Sequence, residues 1–352
     1  MGFLADLTHT AASAFRALAG GPTSADWAPA ALLDGDVRPF RAVRPERLAG
    51  NRLVLGAYTL WYTLPRFRMF AKIHRTDPAL FDPQGPVKVL ARPLPPRVAD
   101  GLVLADQVAC AAFTLGIAHR VTGPLHASLL FWNLSYRNSW SMIFHSDNTL
   151  VFHTLVAGFS PSADAWSVDA VIRRARTGEG APQAHWRYGF PVEMLSAVTG
   201  IYYWLSGVAK VAGPLGWGWA TGDSLRSQVA ADALRKEVLG SRTSALGKRL
   251  YARKELWTAT AAPSLVLELV GPLVLVHPVV ARVWAVSAYG MHWGIKALMD
   301  ITFRYQLTGA AYASFVPWER VGDGVSGLVS AVRGRIPDLP AGRGRERNSM
   351  GA

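Results

Sequence analysis

Long apolar runs separated by short, charge-rich segments most constrain the fold of this 352-residue chain. Half of its residues are hydrophobic and only 17% are charged, whereas soluble domains carry about 25% charged residues. A bilayer core about 30 Å thick needs about 20 mostly apolar residues in helical form. The pattern predicts an all-α fold, a polytopic transmembrane bundle of about 7–8 spans in the inner (plasma) membrane of the cell.

The apolar runs define candidate spans that alternate with polar connections. Pro65 is expected to kink the first span. The connection at 215–257 contains a helix-periodic stretch, 224–240, which we expect to be an amphipathic helix at the membrane interface. A weaker apolar segment at 306–318 is either an eighth span or a re-entrant piece. The candidate spans lie at about 52–73, 99–119, 124–144, 149–161, 188–214, 258–276 and 281–303.

Three regions are expected along the chain. Residues 1–50 form a lead-in that starts with a short amphipathic helix, which lies on the membrane surface or packs onto the protein. No basic region precedes its apolar residues, so it does not resemble a signal peptide. Residues 51–318 form the transmembrane domain, and 319–352 form a basic, disordered tail.

Charge and cysteine content exclude several classes of function. The formal net charge is +13, but the basic residues lie between apolar runs, so the expected partners are membrane lipids rather than nucleic acid. Cys110 is the only cysteine, so no disulfide framework is expected. The sequence has no Walker loop, dinucleotide fingerprint, HExxH or GxSxG motif, and therefore gives no support for soluble-cofactor chemistry.

Lys210 lies near the end of the apolar, aromatic run at 188–214. An amine inside such a segment is costly, so it either belongs to a functional site or extends its ammonium to the lipid headgroups. The residues by themselves favour the second interpretation. Glu268 and Asp106 are lone acids in other apolar runs and are candidate partners for Lys210 or Lys296.

Polar residues are unusually dense between the third and fourth candidate spans. Lipid cannot satisfy so many polar groups, so we predict that they face the protein interior and line a pocket. For each residue the alternative is an interfacial turn, with Asp147 or Asn148 capping the next helix. No third ligand accompanies the two histidines, so no metal site is predicted. The cluster comprises Tyr136, Arg137, Asn138, Ser139, Trp140, His145, Asp147, Asn148 and His153.

Two further groups of polar residues have open interpretations. Asp164 and Asp169 flank Trp166 just after the fourth span, and these residue types also suit a capped turn. In the last long run, His292, Lys296 and Asp300 follow at i, i+4 and i+8 and share one helix face. They form either a second wall of the pocket or proton relay, or a structural ion pair.

Four motifs, in this order, resemble the HTTM-domain proteins of bacteria, integral-membrane relatives of vitamin K-dependent gamma-carboxylase. The resemblance covers about residues 50–315. In the carboxylases a lysine in a G-V-x-K segment of a transmembrane helix deprotonates vitamin K hydroquinone. Residues 207–210 match that segment, so the resemblance assigns the base role to Lys210, and burial would favour its neutral form. The motifs are YRNSWSMIFHSDNTLVFHTL, ADAWSVDA, YYWLSGVAKVAG and HWGIKALMDITF.

The resemblance implies a quinol-oxidising lyase or oxygenase that uses a reduced quinone of the vitamin K or menaquinol type, with O2 and CO2. Asp164 stands where the family has a histidine two positions before the tryptophan, so an identical oxygenation step is not expected. The chain also lacks the family's large C-terminal domain, so we expect a small, lipidic or peptide substrate. The alternative is a non-catalytic membrane protein for lipid or peptide binding, transport, or toxin maturation or immunity. The expected pocket residues are Asn138, His145, Asp147, Asn148, His153, Asp164, Trp166, Asp169, Trp204 and His292.

Overall fold

The computed structural model describes residues 40–140, 143 and 145–333, without the side chains of 145 and 327–333. Over these residues the protein consists of α-helices and 3-10 turns, and it forms no strand beyond one isolated bridge. The predicted all-α fold is confirmed. The amphipathic helix predicted at the start of the chain and the tail beyond 333 lie outside the described residues.

The helices are long and joined mainly by turns. They are α1 (Pro45–Thr63), α2 (Phe67–Ile73), α3 (Pro96–Leu115), α4 (His119–Asn138), α5 (His145–Gly158), α6 (Val168–Thr177), α7 (Trp186–Ala212), α8 (Asp223–Val238), α9 (Ala245–Leu250), α10 (Lys254–Leu269), α11 (Pro278–Met299), α12 (Arg304–Leu307) and α13 (Trp318–Arg333). The 3-10 turns are Leu64–Arg66, Pro78–Leu80, Gly85–Val89, Gly216–Thr221, Gly271–Leu275 and Ala310–Phe315.

Several predicted features coincide with helices, and others differ. The break at Pro65 is present, as the 3-10 turn between α1 and α2. The helix-periodic stretch at 224–240 is the helix α8. The segment at 306–318 is not a long helix: it holds the end of α12 and a 3-10 turn in which every residue is buried. Helix α13 occupies the first part of the tail that was expected to be disordered.

Seven helices that overlap the candidate spans run alternately in opposite directions; they are α1, α3, α4, α5, α7, α10 and α11. We call side A the side on which α1, α4, α7 and α11 begin, and side B the side on which α3, α5 and α10 begin. On side A, Val43 pairs with His185 through backbone hydrogen bonds of 3.0 and 3.4 Å, which brings the starts of α1 and α7 together. The buried Arg52 guanidinium fixes the turn after α5 by donating to the carbonyl oxygens of Ser162, Ala165 and Trp166.

Glycines allow the closest helix contacts. A Cβ atom built on Gly200 of α7 would lie 2.6 Å from the carbonyl oxygen of Gly271, which follows α10. A Cβ atom on Gly123 of α4 would lie 2.5 Å from the carbonyl oxygen of Gly158 at the end of α5. Such contacts between small residues are typical of helix packing in membranes.

The outer faces of the long helices carry many exposed apolar side chains. By length and composition, one helix of the described part of the chain, α3, is suited to cross a membrane, and 39% of its most apolar window is buried. Large exposed side chains also occur on four other long helices. Examples are Val108 (65% exposed), Leu125 (47%), Phe152 (46%), Leu205 (51%) and Val286 (71%).

Helix α13 is fixed to the start of α1 by ion pairs. Arg44 binds Asp323 through two hydrogen bonds of 2.8 and 3.1 Å, and Arg47 binds Glu319 through two of 2.9 and 2.5 Å. The hydrogen bond from Arg44 lowers the pKa of Asp323 below its usual value. The side chain of Trp318 fills the space beside Gly50, where a Cβ atom would lie 2.2 Å from its ring.

Candidate functional site

Lys210 lies in the last turn of α7 and forms an ion pair with Glu268 of α10. Its Nζ atom is 2.5 Å from each carboxylate oxygen. Gly207, one turn earlier, permits this contact, because a Cβ atom there would lie 3.0 Å from the Cβ of Glu268. The side chain of Lys210 is 28% exposed and that of Glu268 is 8% exposed. The amine is therefore neither free among headgroups nor isolated in an apolar site.

An aromatic ring forms the second contact of this amine. Trp219 belongs to the 3-10 turn after α7, and its ring centre is 5.3 Å from Lys210 Nζ. A cation at this distance from an indole face is attracted by the negative face of the ring. The site therefore combines a lysine, a carboxylate and an aromatic face on side B.

A buried group of two tyrosines and a histidine lies closer to the middle of α7. The hydroxyl oxygens of Tyr203 and Tyr312 are 2.5 Å apart, and Tyr203 Oη is 3.1 Å from His292 Nδ1. Tyr203 is seven residues before Lys210, which is about 10 Å along a helix. The predicted pocket residue His292 is thus in the interior on the Lys210 side of the bundle, in contact with α7.

His153 is fully enclosed between α5, α7 and the segment after α11. Its Nδ1 atom accepts a hydrogen bond from Tyr305 Oη at 2.5 Å, and its Nε2 atom donates to the carbonyl oxygen of Leu195 at 3.0 Å. Thr199 Oγ1 is 3.1 Å from the same nitrogen and donates to the carbonyl oxygen of Ala311. Both ring nitrogens therefore have partners, and this histidine is a structural element of the core.

Arg137 and Asp147 form a buried ion pair near side B. The Arg137 Nη2 atom is 2.5 Å from an Asp147 oxygen and 2.8 Å from Asn138 Oδ1. Tyr62 Oη accepts from Arg137 at 3.3 Å and donates to Asp147 at 3.4 Å. An open depression of about 390 Å³ lies beside Asn138.

Aromatic rings connect these groups through the interior. Tyr58 stacks on Tyr62 with ring centres 5.8 Å apart and contacts Tyr305 at 4.9 Å. We call the resulting series the polar column. In order from the Asp147 end it consists of Arg137, Asp147, Tyr62, Tyr58, Tyr305, His153 and Thr199, followed, through the backbone carbonyl of Ala311 to which Thr199 donates, by Tyr312, Tyr203 and His292.

Other predicted pocket residues lie apart from this column. Asp164 accepts hydrogen bonds of 2.6 Å from both Arg187 and Tyr188, and Asp169 accepts from the backbone N–H groups of Ala118 and His119 at 2.9 and 2.8 Å. Asp169 therefore caps the start of α4 on side A, as the capped-turn interpretation predicts, whereas Asp164 pairs with side chains at the start of α7.

Four further residues of the predicted pocket do not converge on a common site. Trp166 is 38% exposed on side A, in a left-handed conformation with φ of 48°, and Trp204 is 39% exposed on α7. Asn148 is half-buried beside Asp147, and His145 begins α5. The predicted residues thus occupy several locations rather than one chamber.

Several ionisable residues have partners that sequence spacing does not reveal. Glu268 pairs with Lys210 across 58 positions, and Asp106 with His126 at 2.8 Å. Lys296 pairs with Asp300 one turn later, in agreement with the structural interpretation of that pair. Tyr203, Tyr305 and Tyr312 were not predicted, because single tyrosines in apolar runs resemble ordinary core residues.

Within the described ranges, no three His, Cys, Asp or Glu side chains converge as metal ligands. Comparison of the chain with protein-family models, with curated proteins and with solved structures gives no match. The relationship to gamma-carboxylase therefore stays a prediction from the four motifs.

Proposed function

We propose that this chain is a multi-pass membrane enzyme of the gamma-carboxylase-like, HTTM type, in which Lys210 takes a proton from a reduced quinone. The observation that carries the proposal is the ion pair between Lys210, the last residue of the G-V-x-K segment of α7, and Glu268 of α10. A lysine and a carboxylate in contact between two apolar helices are a proton-transfer pair as well as an ion pair. The substrate is a small, lipidic or peptide molecule.

The surface and direction of the helices support the membrane part of the proposal. Seven helices alternate between sides A and B, and exposed valine, leucine and phenylalanine side chains occur on their outer faces. Monomeric soluble proteins rarely expose large contiguous apolar areas. Lipid would cover these faces without a cost in free energy. We therefore expect seven spans, although, of the described helices, α3 alone has the length and composition of a typical membrane span.

The residues around Lys210 fit a quinone ring. Trp219 presents an aromatic face to the amine, and the Lys210 side chain is 28% exposed beside it. Lys210 and Trp219 would hold the ring, and the bound reduced quinone would supply an acidic hydroxyl group. The residues present therefore match the chemical class that the resemblance implies.

The carboxylate partner explains how a paired lysine can act as a base. In water-exposed form the pair is an ammonium beside a carboxylate, and such an ammonium cannot accept a proton. An apolar ring that covers the pair would disfavour both charges, and transfer of the Lys210 proton to Glu268 would then leave a neutral pair. The free amine of Lys210 then accepts a proton from a hydroxyl group placed against it.

The test is consumption of menaquinol under air by purified protein in nanodiscs. Wild type is expected to oxidise the quinol, and Lys210→Ala to lose about a hundredfold or more in rate, the usual contribution of a positioned base. Lys296→Ala is the matched control, because it also removes a lysine paired with a carboxylate near the end of a long helix. Equal rates for Lys210→Ala and wild type would refute the assigned role.

The second candidate is a binding protein that uses the same residues without chemistry. The ion pair itself favours it, because Lys210 and Glu268 also join α7 to α10. Lys210→Arg discriminates between the two, since arginine keeps the charge but does not deprotonate in proteins. A binder is expected to tolerate this change, and an enzyme is not.

A further inference from the structure

A basic cleft on side A lies at the opposite end of α7 from Lys210. Of the α7 residues that line the cleft, Ser196 is nearest to Lys210 in sequence. It is 14 positions away, which is about 21 Å along a helix. The cleft has a volume of about 70 Å³, enough for a small chemical group. Its walls come from the starts of α1, α7 and α11 and from the 3-10 turns Gly271–Leu275 and Ala310–Phe315. The polar residues among them are Arg41, Arg47, Glu193, Ser196, Arg282 and Ser314.

Positive charge dominates this cleft. Three arginines, Arg41, Arg47 and Arg282, face it together with one carboxylate, that of Glu193. Arg47 also holds Glu319 of α13 through two hydrogen bonds. The cluster therefore keeps a net positive charge at the lining, and Arg282 is half-buried there. Arginine guanidinium groups match phosphate in geometry and charge.

Two features at the base and mouth of the cleft add to the attraction for an anion. Ser196 and Ser314 are buried, and their hydroxyl oxygens are 3.0 Å apart. Helices α1, α7 and α11 all begin at this cleft, and the N-terminal ends of helices carry partial positive charge. The Ser314 hydroxyl, which accepts from Ser196, therefore lies with the guanidinium groups and three helix starts around one small volume.

The border of the cleft is apolar. Val192, Val274 and Phe315 line it, and Leu275, which is 48% exposed, extends this apolar lining to the protein surface. A ligand that carries a phosphate group and hydrocarbon chains matches both parts. We propose that this cleft binds the phosphate group of an anionic lipid, whose chains extend over the apolar border at Leu275.

The binding test uses the full chain in a neutral sugar detergent. Dioctanoyl phosphatidylglycerol is titrated by microscale thermophoresis and compared with dioctanoylglycerol, which has the same chains without phosphate, and with inorganic phosphate. Phosphatidylglycerol is expected to bind. Arg282→Gln is expected to lower the affinity for it about tenfold, which is the effect of losing one charge-assisted hydrogen bond. Arg176→Gln is the matched control, because Arg176 is exposed at the end of α6 and away from the cleft.

The variants and ligands separate the outcomes. One outcome is that inorganic phosphate binds wild type as tightly as the lipid does and binds Arg282→Gln more weakly. In that case the phosphate site stands and its ligand is a soluble phosphate. Equal binding of phosphatidylglycerol and dioctanoylglycerol, or equal weakening by Arg176→Gln and Arg282→Gln, overturns the proposal. Arg41→Gln, at the rim, replaces Arg282→Gln if the latter elutes as aggregate in size-exclusion chromatography. The site does not depend on Lys210, so Lys210→Ala is expected to bind the lipid as wild type does.

Discussion

Two ion pairs, Arg137–Asp147 and Lys210–Glu268, bring opposite charges together inside or at the edge of the helix bundle. Arg137 and Asp147 are each 4% exposed and lie in direct contact. Removing water from both charges is costly, and their mutual attraction offsets that cost only while both are present. The same holds for the Lys210–Glu268 pair, of which the carboxylate is the more buried member. Removing one partner of such a pair therefore leaves the other charge without compensation, which lowers the stability of the fold.

Replacing Asp147 by Asn is expected to destabilise the fold strongly. The change leaves the Arg137 charge in the interior without its carboxylate, which costs about 3–5 kcal/mol. The midpoint of thermal unfolding in detergent is the measurement. Asp323→Asn serves as control, because Asp323 belongs to an exposed pair, 58% accessible, and its loss is expected to change the midpoint little. Similar shifts for both variants would contradict a buried role for Asp147.

Glu268→Gln tests the carboxylate as proton acceptor for Lys210. The amide keeps the size of the side chain but cannot take up the lysine proton, so Lys210 has no internal acceptor to which it can pass that proton. We expect menaquinol oxidation to fall about a hundredfold while the protein remains folded in size-exclusion chromatography. A rate close to that of wild type would show that Lys210 loses its proton without Glu268.

At the level of the helices, two glycine contacts set the distances between neighbours. Gly200 lies against Gly271, and Gly123 lies against Gly158, with backbone atoms where side chains would otherwise stand. The first contact joins α7 to the turn after α10, and so positions the same two helices that hold Lys210 and Glu268. Packing at residue 200 is therefore linked to the geometry of the ion pair.

Gly200→Ala is expected to separate these helices and lower stability. The new Cβ atom would lie 2.6 Å from the Gly271 carbonyl oxygen, a backbone atom that cannot move aside. Strain of this kind costs about 1–3 kcal/mol, and thermal unfolding measures it. Gly101→Ala in α3 is the control, because a Cβ atom there would have no neighbour within 4 Å and alanine favours helices. A midpoint for Gly200→Ala at or above that of Gly101→Ala would contradict the close contact.

Helix positions were more predictable than helix partners. The apolar runs, the break at Pro65 and the helix at 224–240 follow from local periodicity and residue type, and all three are present. The partners of Lys210, Asp106 and Asp169 are 58, 20 and about 50 positions away, and no local pattern encodes them. The polar column also depends on tyrosines that resemble core residues in sequence. The basic cleft combines arginines separated by more than 200 positions.

For the whole molecule, the alternating directions of the helices predict on which side of a membrane each connection would lie. Helix α6 lies on side A, after α5, and helices α8 and α9 lie on side B, between α7 and α10. If the seven helices cross a bilayer, these connections face opposite aqueous compartments. The basic residues on both sides explain why charge alone does not settle the orientation.

Cysteine labelling in sealed vesicles tests this topology. Arg176→Cys on α6 and Arg249→Cys on α9 replace exposed side chains, and the native Cys110 is buried. A membrane-impermeant maleimide is expected to label one of the two variants in intact vesicles and both after detergent is added. Labelling of both variants in intact vesicles would contradict a spanning α7.

The ionisation state of the Lys210 amine tests the central claim most directly. Protein with ¹⁵N-labelled lysine side chains, in nanodiscs at pH 7, gives an Nζ signal that is assigned by its absence in Lys210→Arg. On addition of a non-reactive menaquinol analogue, the account predicts that this signal moves from the ammonium to the amine position, while the Lys296 signal stays that of an ammonium. A Lys210 signal that remains an ammonium with the analogue bound would contradict the proposed proton transfer.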